Sequence, residues 1–485
     1  MASPPPPPPP PAAPFSLLLL LVSIALAAAQ LQQPPPQGDV AALHKVFREW
    51  GLSLPADPCR PPFVKLFPKD ASIAINCNCS DLTNEGCRVT HLKVTGYRSI
   101  TRIPEELFSL TELVSLDLSN NNLSGSITPN IANLNKLELW HFNNNQLSGP
   151  FPSESSSLRN LQSLWMFDNN IDGPVPEFVA NFTNLKDLRI YGMKLRGPIS
   201  NKFSNLTNLT YLMIGDLGGD NSSVNFTGVW ANLSVLSLRN CGLTGEFRSP
   251  IWRNLTYLDL RSNNLSGPIE KVFQYNRSLQ YLYVGENKFN GSLPPGRPPS
   301  LRALDVTYNS LLNGSLPNNF SDGMMNYVGT SIAASGSGQS ANISLLKCLG
   351  VEQCNQKDLT NLLSFAVNCG DKQYTSPLDP LQTMFNDDST DLGAAGFHVN
   401  TSNNWVVSNV GADPFSISTG IVSTIKNISG TDMPNLYKTA RTSTGSLWYY
   451  VVGLTSGTYT VQLFFAEIVI ESESGRRLFN IDIQV

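Results

Sequence analysis

Charge is scarce in this sequence. Asp, Glu, Lys and Arg together make up 14% of its 485 residues, against roughly a quarter in an average soluble domain. The 33 basic and 37 acidic residues nearly cancel, to a formal −4. No basic footprint is left for nucleic acid, which is excluded as a partner. Histidine is scarcer still. His44, His91, His141 and His398 share no metal-ligand spacing, and no metal is expected. Also lacking are G-x-S-x-G, H-E-x-x-H and the V-A-I-K, H-R-D and D-F-G motifs of protein kinases. Gly336 to Ala341 spells G-x-G-x-x-A, but no strand pattern precedes it and no helix pattern follows. Asp387 and Asp388 lie in polar loop sequence and read as solvated rather than catalytic. No enzyme, no catalytic residue and no cofactor are expected of these residues.

Long apolar runs are missing too, except near the start. Phe15 to Leu26 is a short apolar stretch followed by Ala27-Ala28-Ala29-Gln30, the layout of a secretory signal peptide cut after Ala29. It is shorter than the ~20 residues that span a bilayer. Secretion gives meaning to the cysteines, because disulfides persist only in oxidising compartments. Cys59, Cys77, Cys79 and Cys87 crowd one window and are expected to bridge among themselves, with Cys348 and Cys354 forming a separate pair. Cys241 is expected to stay reduced, and Cys369 is left over.

What the chain has in abundance is a period. The pattern L-x-x-L-x-L-x-x-N-x-L-x-G recurs from Leu113, Leu137, Leu161, Leu185, Leu209, Leu233, Leu255, Leu279 and Leu301. Its 22–24 residue spacing is that of leucine-rich repeats. One repeat cannot bury its leucines alone, so stacking is required, with a parallel sheet on the concave side. Asn121, Asn145, Asn169, Asn263, Asn287 and Asn309 form the ladder position, where a buried amide can satisfy turn backbone groups. Met193, Leu217 and Cys241 break that ladder. The repeat from Leu209 is the least regular, with Gly-Asp-Leu-Gly-Gly-Asp-Asn in place of L-x-G, and either a local bend or specialised surface, or simple tolerated drift, is expected there. The following L-x-G-x-[IVF]-P resembles the plant-specific subclass of these repeats.

Side chains between the strand leucines alternate away from the core. At those positions stand Trp165, Phe167, Tyr191, Tyr211, Tyr257, Tyr281 and Tyr283. Exposed rings beside polar groups suit peptide and protein interfaces, so this set is the candidate ligand-binding strip. Seventeen N-x-[ST] sequons run from Asn78 to Asn427. Asn122, Asn181, Asn208, Asn232, Asn254 and Asn264 are the glycosylation candidates within the repeats, and glycans there would wet a surface poor in charge. Asn208, Asn232 and Asn254 end their repeats and so fall in one column.

From about Phe365 the texture changes to alternating strands, Leu447 to Val452, Tyr459 to Ala466 and Arg477 to Val485, which argue an antiparallel β-sandwich. Phe365-Ala366-Val367-Asn368-Cys369-Gly370, Leu436 to Arg441, Tyr459 to Ile468 and Gly475 to Ile481 resemble a malectin domain. With Asn76-Cys77-Asn78-Cys79-Ser80 and Leu238 to Gly245, the whole resembles the ectodomain of plant leucine-rich-repeat malectin receptor-like kinases. The resemblance implies a solenoid (a parallel β-sheet horseshoe of the plant-specific subclass) followed by a malectin-like antiparallel β-sandwich. That sandwich is expected to be incomplete, since relatives continue through further strands, a transmembrane helix and a Ser/Thr kinase domain.

The expected organisation is a signal peptide (1–29), a Cys-containing cap (30–88), repeats (89–323), a Gly/Ser-rich loop and C-terminal cap (324–364), and the malectin-like domain (365–485). The function implied is extracellular recognition of a peptide, protein or carbohydrate ligand, with a repeat-bearing co-receptor as partner. The setting implied is the plasma membrane for a longer product, or the apoplast for a chain ending at Val485. One alternative is a secreted leucine-rich-repeat inhibitor or wall-binding protein. Another is a longer gene product with Ser/Thr kinase activity. Trp405, Tyr437, Trp448 and Tyr449 are weaker sugar-binding candidates that read better as sandwich core.

Overall fold

The computed structural model describes residues 38–485 apart from 60–63, 67–70, 80–85, 224–229, 248–251, 275–276, 317–319, 321–322, 334–344, 350–360, 376–381, 412–419, 467, 469–480 and 484–485. The signal-peptide expectation, Cys354 and Arg477 to Asn480 therefore lie outside the described residues.

A helix over Asp39–Glu49 buries Val40, Leu43, Val46 and Phe47 and closes the first end of the repeat core. Asp39 ties it down, its Oδ2 accepting the Val89 N–H at 2.9 Å and pairing with Arg88 at 3.0 Å. The antiparallel strands Ser72–Cys79 and Cys87–Thr95 follow, stapled by Cys59–Cys77 and Cys79–Cys87. Both bridges fall within the expected group of four. Cys348 is also disulfide-bonded, while Cys241 and Cys369 are free.

The long sheet of 13 strands begins with Val64–Leu66, Ser72–Cys79 and Cys87–Thr95, and from Cys87–Thr95 onward it takes one short parallel strand from each repeat. Leu113, Leu137, Leu161, Leu185, Leu209 and their partners are fully buried. Each such side chain contributes about 1.5–3 kcal/mol of burial, and only the neighbouring repeat makes that burial possible. The turn before each ladder position is left-handed, at Asn120, Asn144, Asp168, Asp216 and Asn240 among others. After glycine, which takes the position at Gly192, Asn and Asp tolerate that backbone best and recur there in the front repeats, while Ser262, Glu286 and Tyr308 hold it in the rear ones.

The ladder does what its chemistry requires. Asn145 donates from Nδ2 to the carbonyls of Leu118 and Phe142, both at 3.0 Å, and its Oδ1 accepts the Leu123 N–H at 3.0 Å. Cys241 substitutes a weaker donor, its thiol reaching the Ile214 carbonyl at 3.2 Å. Burial pushes that thiol well above its ordinary pKa, so it stays protonated.

Short strands on the flank form two separate five-stranded sheets. One ends at Gly218–Gly219 and the other begins at Ser222–Ser223. The interruption falls in the irregular repeat, where the missing L-x-G cannot continue the first sheet.

The remaining residues build smaller sheets. Ala395–Asn400, Trp405–Val410 and Ser446–Val451 pair antiparallel, over a core of Trp405, Val407 and Leu392 with Phe365, Val367, Leu447 and Tyr449 packed against it. Trp405 is fully buried, and Tyr437, Trp448 and Tyr449 are half-buried. Two expectations fail here. Tyr459–Ala466 joins no sheet, and Val461, Leu463, Phe464 and Phe465 are exposed, because among the described residues no strand pairs with it. Asp388 is not solvated. It is fully buried against Arg441 at 2.8 Å, and Tyr449 donates its hydroxyl hydrogen to Asp388 Oδ2 at 2.7 Å.

Candidate functional site

The open face of the long sheet divides into two halves. In the front half, polar and aromatic side chains lie side by side from one strand to the next. Lys93 pairs with Asp117 at 3.6 Å, and His141 Nε2 shares a 2.8 Å hydrogen bond with Ser163 Oγ. The His141 ring lies flat on Trp165, with centroids 3.9 Å apart and planes 7° apart. The Arg189 guanidinium sits 4.0 Å from the same indole and is held by both carboxylate oxygens of Asp187 at 2.9 Å. Both faces of Trp165 are thus occupied by this protein's own groups, a contact worth about 0.5–2 kcal/mol. Beside it Phe167 and Tyr191 stack at 4.6 Å. Burial pulls the His141 pKa down to about 4, with Arg189 and Lys93 adding to the effect and Asp117 opposing it, so the imidazole is neutral near pH 6. Trp165, Phe167, Tyr191 and Tyr211 are half-buried and reach water.

The rear half is covered. Val235, Tyr257, Tyr283 and Ala303 form one apolar cluster with Ala395 and Val410 of the second module, and Tyr211, Met213 and Tyr281 pack on its rim. Tyr257 and Tyr283 were expected to face solvent. They are 5% and 0% exposed because the strands Ala395–Asn400 and Trp405–Val410 lie on them. Polar bonds cross the same seam. Arg261 donates from Nη1 to the Val410 carbonyl at 3.0 Å, while Nε and Nη2 hold Asp259 at 2.9 and 2.6 Å. Asn326 donates to Ser408 Oγ at 2.8 Å and to the Gly396 carbonyl at 3.2 Å. Tyr327 meets Phe397 edge-on at 5.2 Å. Burial alone would pull the Arg261 guanidinium down, but the Asp259 carboxylate more than offsets it and keeps it charged.

The seven candidate aromatics are therefore not one strip. Trp165, Phe167 and Tyr191 form a water-facing group, Tyr211 and Tyr281 border the seam, and Tyr257 and Tyr283 are the bed on which the second module rests. Sequence reasoning passed over Arg189, Arg261, Asp305 and Asn326. An Asp-x-Arg spacing at Asp187–Arg189 and Asp259–Arg261, two residues apart on one strand face, is the signal that could have found the first two.

Of the glycosylation candidates, Asn181, Asn208, Asn232, Asn254 and Asn264 are exposed and Asn122 is half-buried. Asn208 donates from Nδ2 to the Thr183 carbonyl at 2.9 Å. The one cluster of potential metal ligands among the described residues, Cys59, Cys79 and Cys87, is consumed by the two disulfides.

Comparison with known proteins agrees with both modules. Residues 112–134 and 254–276 match the Leucine Rich Repeat model, and residues 363–485 match the Malectin domain. The class is a leucine-rich-repeat solenoid followed by a malectin domain. The chain is similar to a probable LRR receptor-like serine/threonine-protein kinase of Arabidopsis thaliana, 34% identical over 197 residues, covering 38% of this chain and 18% of the relative. A second such kinase of the same organism is 31% identical over 227 residues, covering 44% and 20%. The chain thus spans about a fifth of the length of the curated relatives it matches. Among solved structures it overlaps a plant peptide hormone receptor, RGFR1 in complex with RGF2, at 27% identity and TM-score 0.42, covering 54% of this chain and 46% of that one. It overlaps a plant ice-binding protein at 23% identity and TM-score 0.43, covering 54% and 85%. At these TM-scores neither overlap bears on what this chain binds. No helix among the described residues is long and apolar enough to cross a membrane.

Proposed function

We propose that this chain is the extracellular ligand-recognition region of a plant receptor-like kinase, reading its ligand on the front half of the open sheet face. The water-facing group of Trp165, Phe167 and Tyr191, braced by His141 and Arg189, carries this reading. Rings held in place before binding lose little freedom on contact, which favours affinity. A peptide or protein fits a face that sets apolar rings beside Asp187, Arg189, Asp117 and Lys93. A wall carbohydrate is the alternative ligand, since rings with flanking polar groups also suit sugars. Kinase activity would reside in a longer gene product, as the names of the relatives imply, and a repeat-bearing co-receptor would be the lateral partner. The setting would be the secretory pathway and then the outer face of the plasma membrane.

The test is a binding screen of the full chain against synthetic secreted peptides and wall-derived oligosaccharides, repeated with Phe167→Ala plus Tyr191→Ala. That pair removes a mutual stack without touching the core. The reading expects a hit whose affinity drops at least tenfold in the double variant. An unchanged affinity would place recognition elsewhere.

A further inference from the structure

We propose that the malectin module is seated on the repeats through an acid-strengthened joint, in which seating is coupled to the uptake of one proton by the Asp259–Arg261–Asp305 cluster. The cluster lies under the module and is sealed by it. Asp259, Arg261 and Asp305 are 3%, 4% and 0% exposed. Arg261 reaches across to the Val410 carbonyl, and Gly445 of the module lies so close that an added Cβ would clash with both the Arg261 guanidinium and the Val410 carbonyl oxygen. Only a glycine permits that closure.

The charges do not balance. Two carboxylates face one guanidinium, so sealing the cluster fully ionised traps a net negative charge, which is costly without compensation. Asp259 has both oxygens hydrogen-bonded by Arg261. Asp305 is different. Its Oδ1 accepts the Thr307 N–H at 3.0 Å, while its Oδ2 is buried with no hydrogen-bond partner. It is the natural site for the proton.

The groups facing it come from every neighbouring strand. Tyr257 and Asp259, then Arg261, come from one strand, Tyr283 and then Glu286 from the next, and Thr307 and Tyr308 from beyond Asp305 itself. Asn326 adds a neutral amide, and the module adds Tyr450 and Ser408. His398 of the module lies on its other side, against Trp405. Burial raises Asp305 from its ordinary 3.8 to about 6, with Arg261 and Thr307 opposing. A carboxyl raised in the seated state favours seating when protonated. The joint is therefore strongest below about pH 4 and weakens as pH rises through about 6.

The test is hydroxyl-radical footprinting of the Tyr257 and Tyr283 side chains in the full chain between pH 4 and 7.5, with Tyr191 as the uncovered reference. Labelling of Tyr283 relative to Tyr191 should rise with pH. The underlying seating equilibrium should change by roughly a hundredfold, the equivalent of about two pKa units. Asp305→Asn, a neutral isostere, should stay protected and lose the pH dependence. Gly445→Ala weakens the closure and brings the equilibrium into range should the wild-type seat prove too tight to label. A flat or falling profile in both wild type and Gly445→Ala, or an unchanged slope in Asp305→Asn, would overturn the proposal.

Discussion

Asp187–Arg189 and Asp259–Arg261 are the same device placed three strands apart in one sheet, a carboxylate gripped by a guanidinium two residues on. The first keeps 16% and 11% of its side-chain surface in water, and the second keeps 4% and 5%. Arg189 lies over Trp165 on a face open to a ligand, whereas Arg261 lies beneath a second module and spends a donor on its backbone. The repeat supplies the same two-point grip at both places. What differs is the cover, and cover decides whether a concave-face residue recognises something from outside or holds the molecule together.

The largest effect should come from removing the buried cation. Arg261→Met leaves Asp259 sealed and unpaired, at a cost of about 3–5 kcal/mol. Arg189→Met leaves a carboxylate that water still reaches, at about 1–2 kcal/mol. Denaturant titration of the two variants should separate them, and equal losses would break the comparison.

Next in size is ligand affinity. Once a ligand is identified, replacing Phe167 and Tyr191 should weaken binding by about 2–4 kcal/mol with an almost unchanged melting profile. Tyr283→Ala should do the reverse, lowering stability through a cavity at the seam while making no direct contact with ligand. Calorimetric binding and melting on the same preparations would show whether the two halves divide the labour this way.

Acid should act on the halves with opposite sign. His141 is held neutral by burial, its pKa near 4 against an ordinary 6.5. The unfolded chain takes up a proton there as pH falls below about 6.5 and the native one does not, so the repeats lose up to roughly 3 kcal/mol on the way to pH 4. Urea midpoints measured across that range should fall for wild type and fall less for His141→Gln. The rear seat should meanwhile tighten.

The smallest change should be Cys241→Ser, below about 1 kcal/mol, because a hydroxyl keeps the donor that the thiol supplies to Ile214 at the boundary between the halves. A larger loss would mean that the ladder is less tolerant there than the intact front repeats.

The repeats, their ladder and the stapled cap were legible because each depends on residues close in sequence. A 22–24-residue period displays its core directly, and Asn or Asp before the ladder marks the left-handed turn in most of the front repeats. The covered half was not legible. Tyr257 and Tyr191 occupy strand faces that look alike, and the strand covering the first lies near Val410, far along the chain. Asp388 was misread for the same reason. Its polar neighbours suggested solvent, but its partner Arg441 comes 53 positions later. Tyr459–Ala466 shows the converse, since alternation alone does not supply a strand with a neighbour.

The contact between Arg261 and Val410 spans 149 positions, and that separation sets an order of events as the chain is made. The cap and each following repeat can close on residues synthesised moments earlier, so the solenoid grows from its first end like a zip. The seat needs the last repeats and the module together. A nascent chain halted soon after Asn326 would present the front face complete and Tyr283 still bare, so the proposed recognition surface is finished before the molecule acquires the cover over its other half.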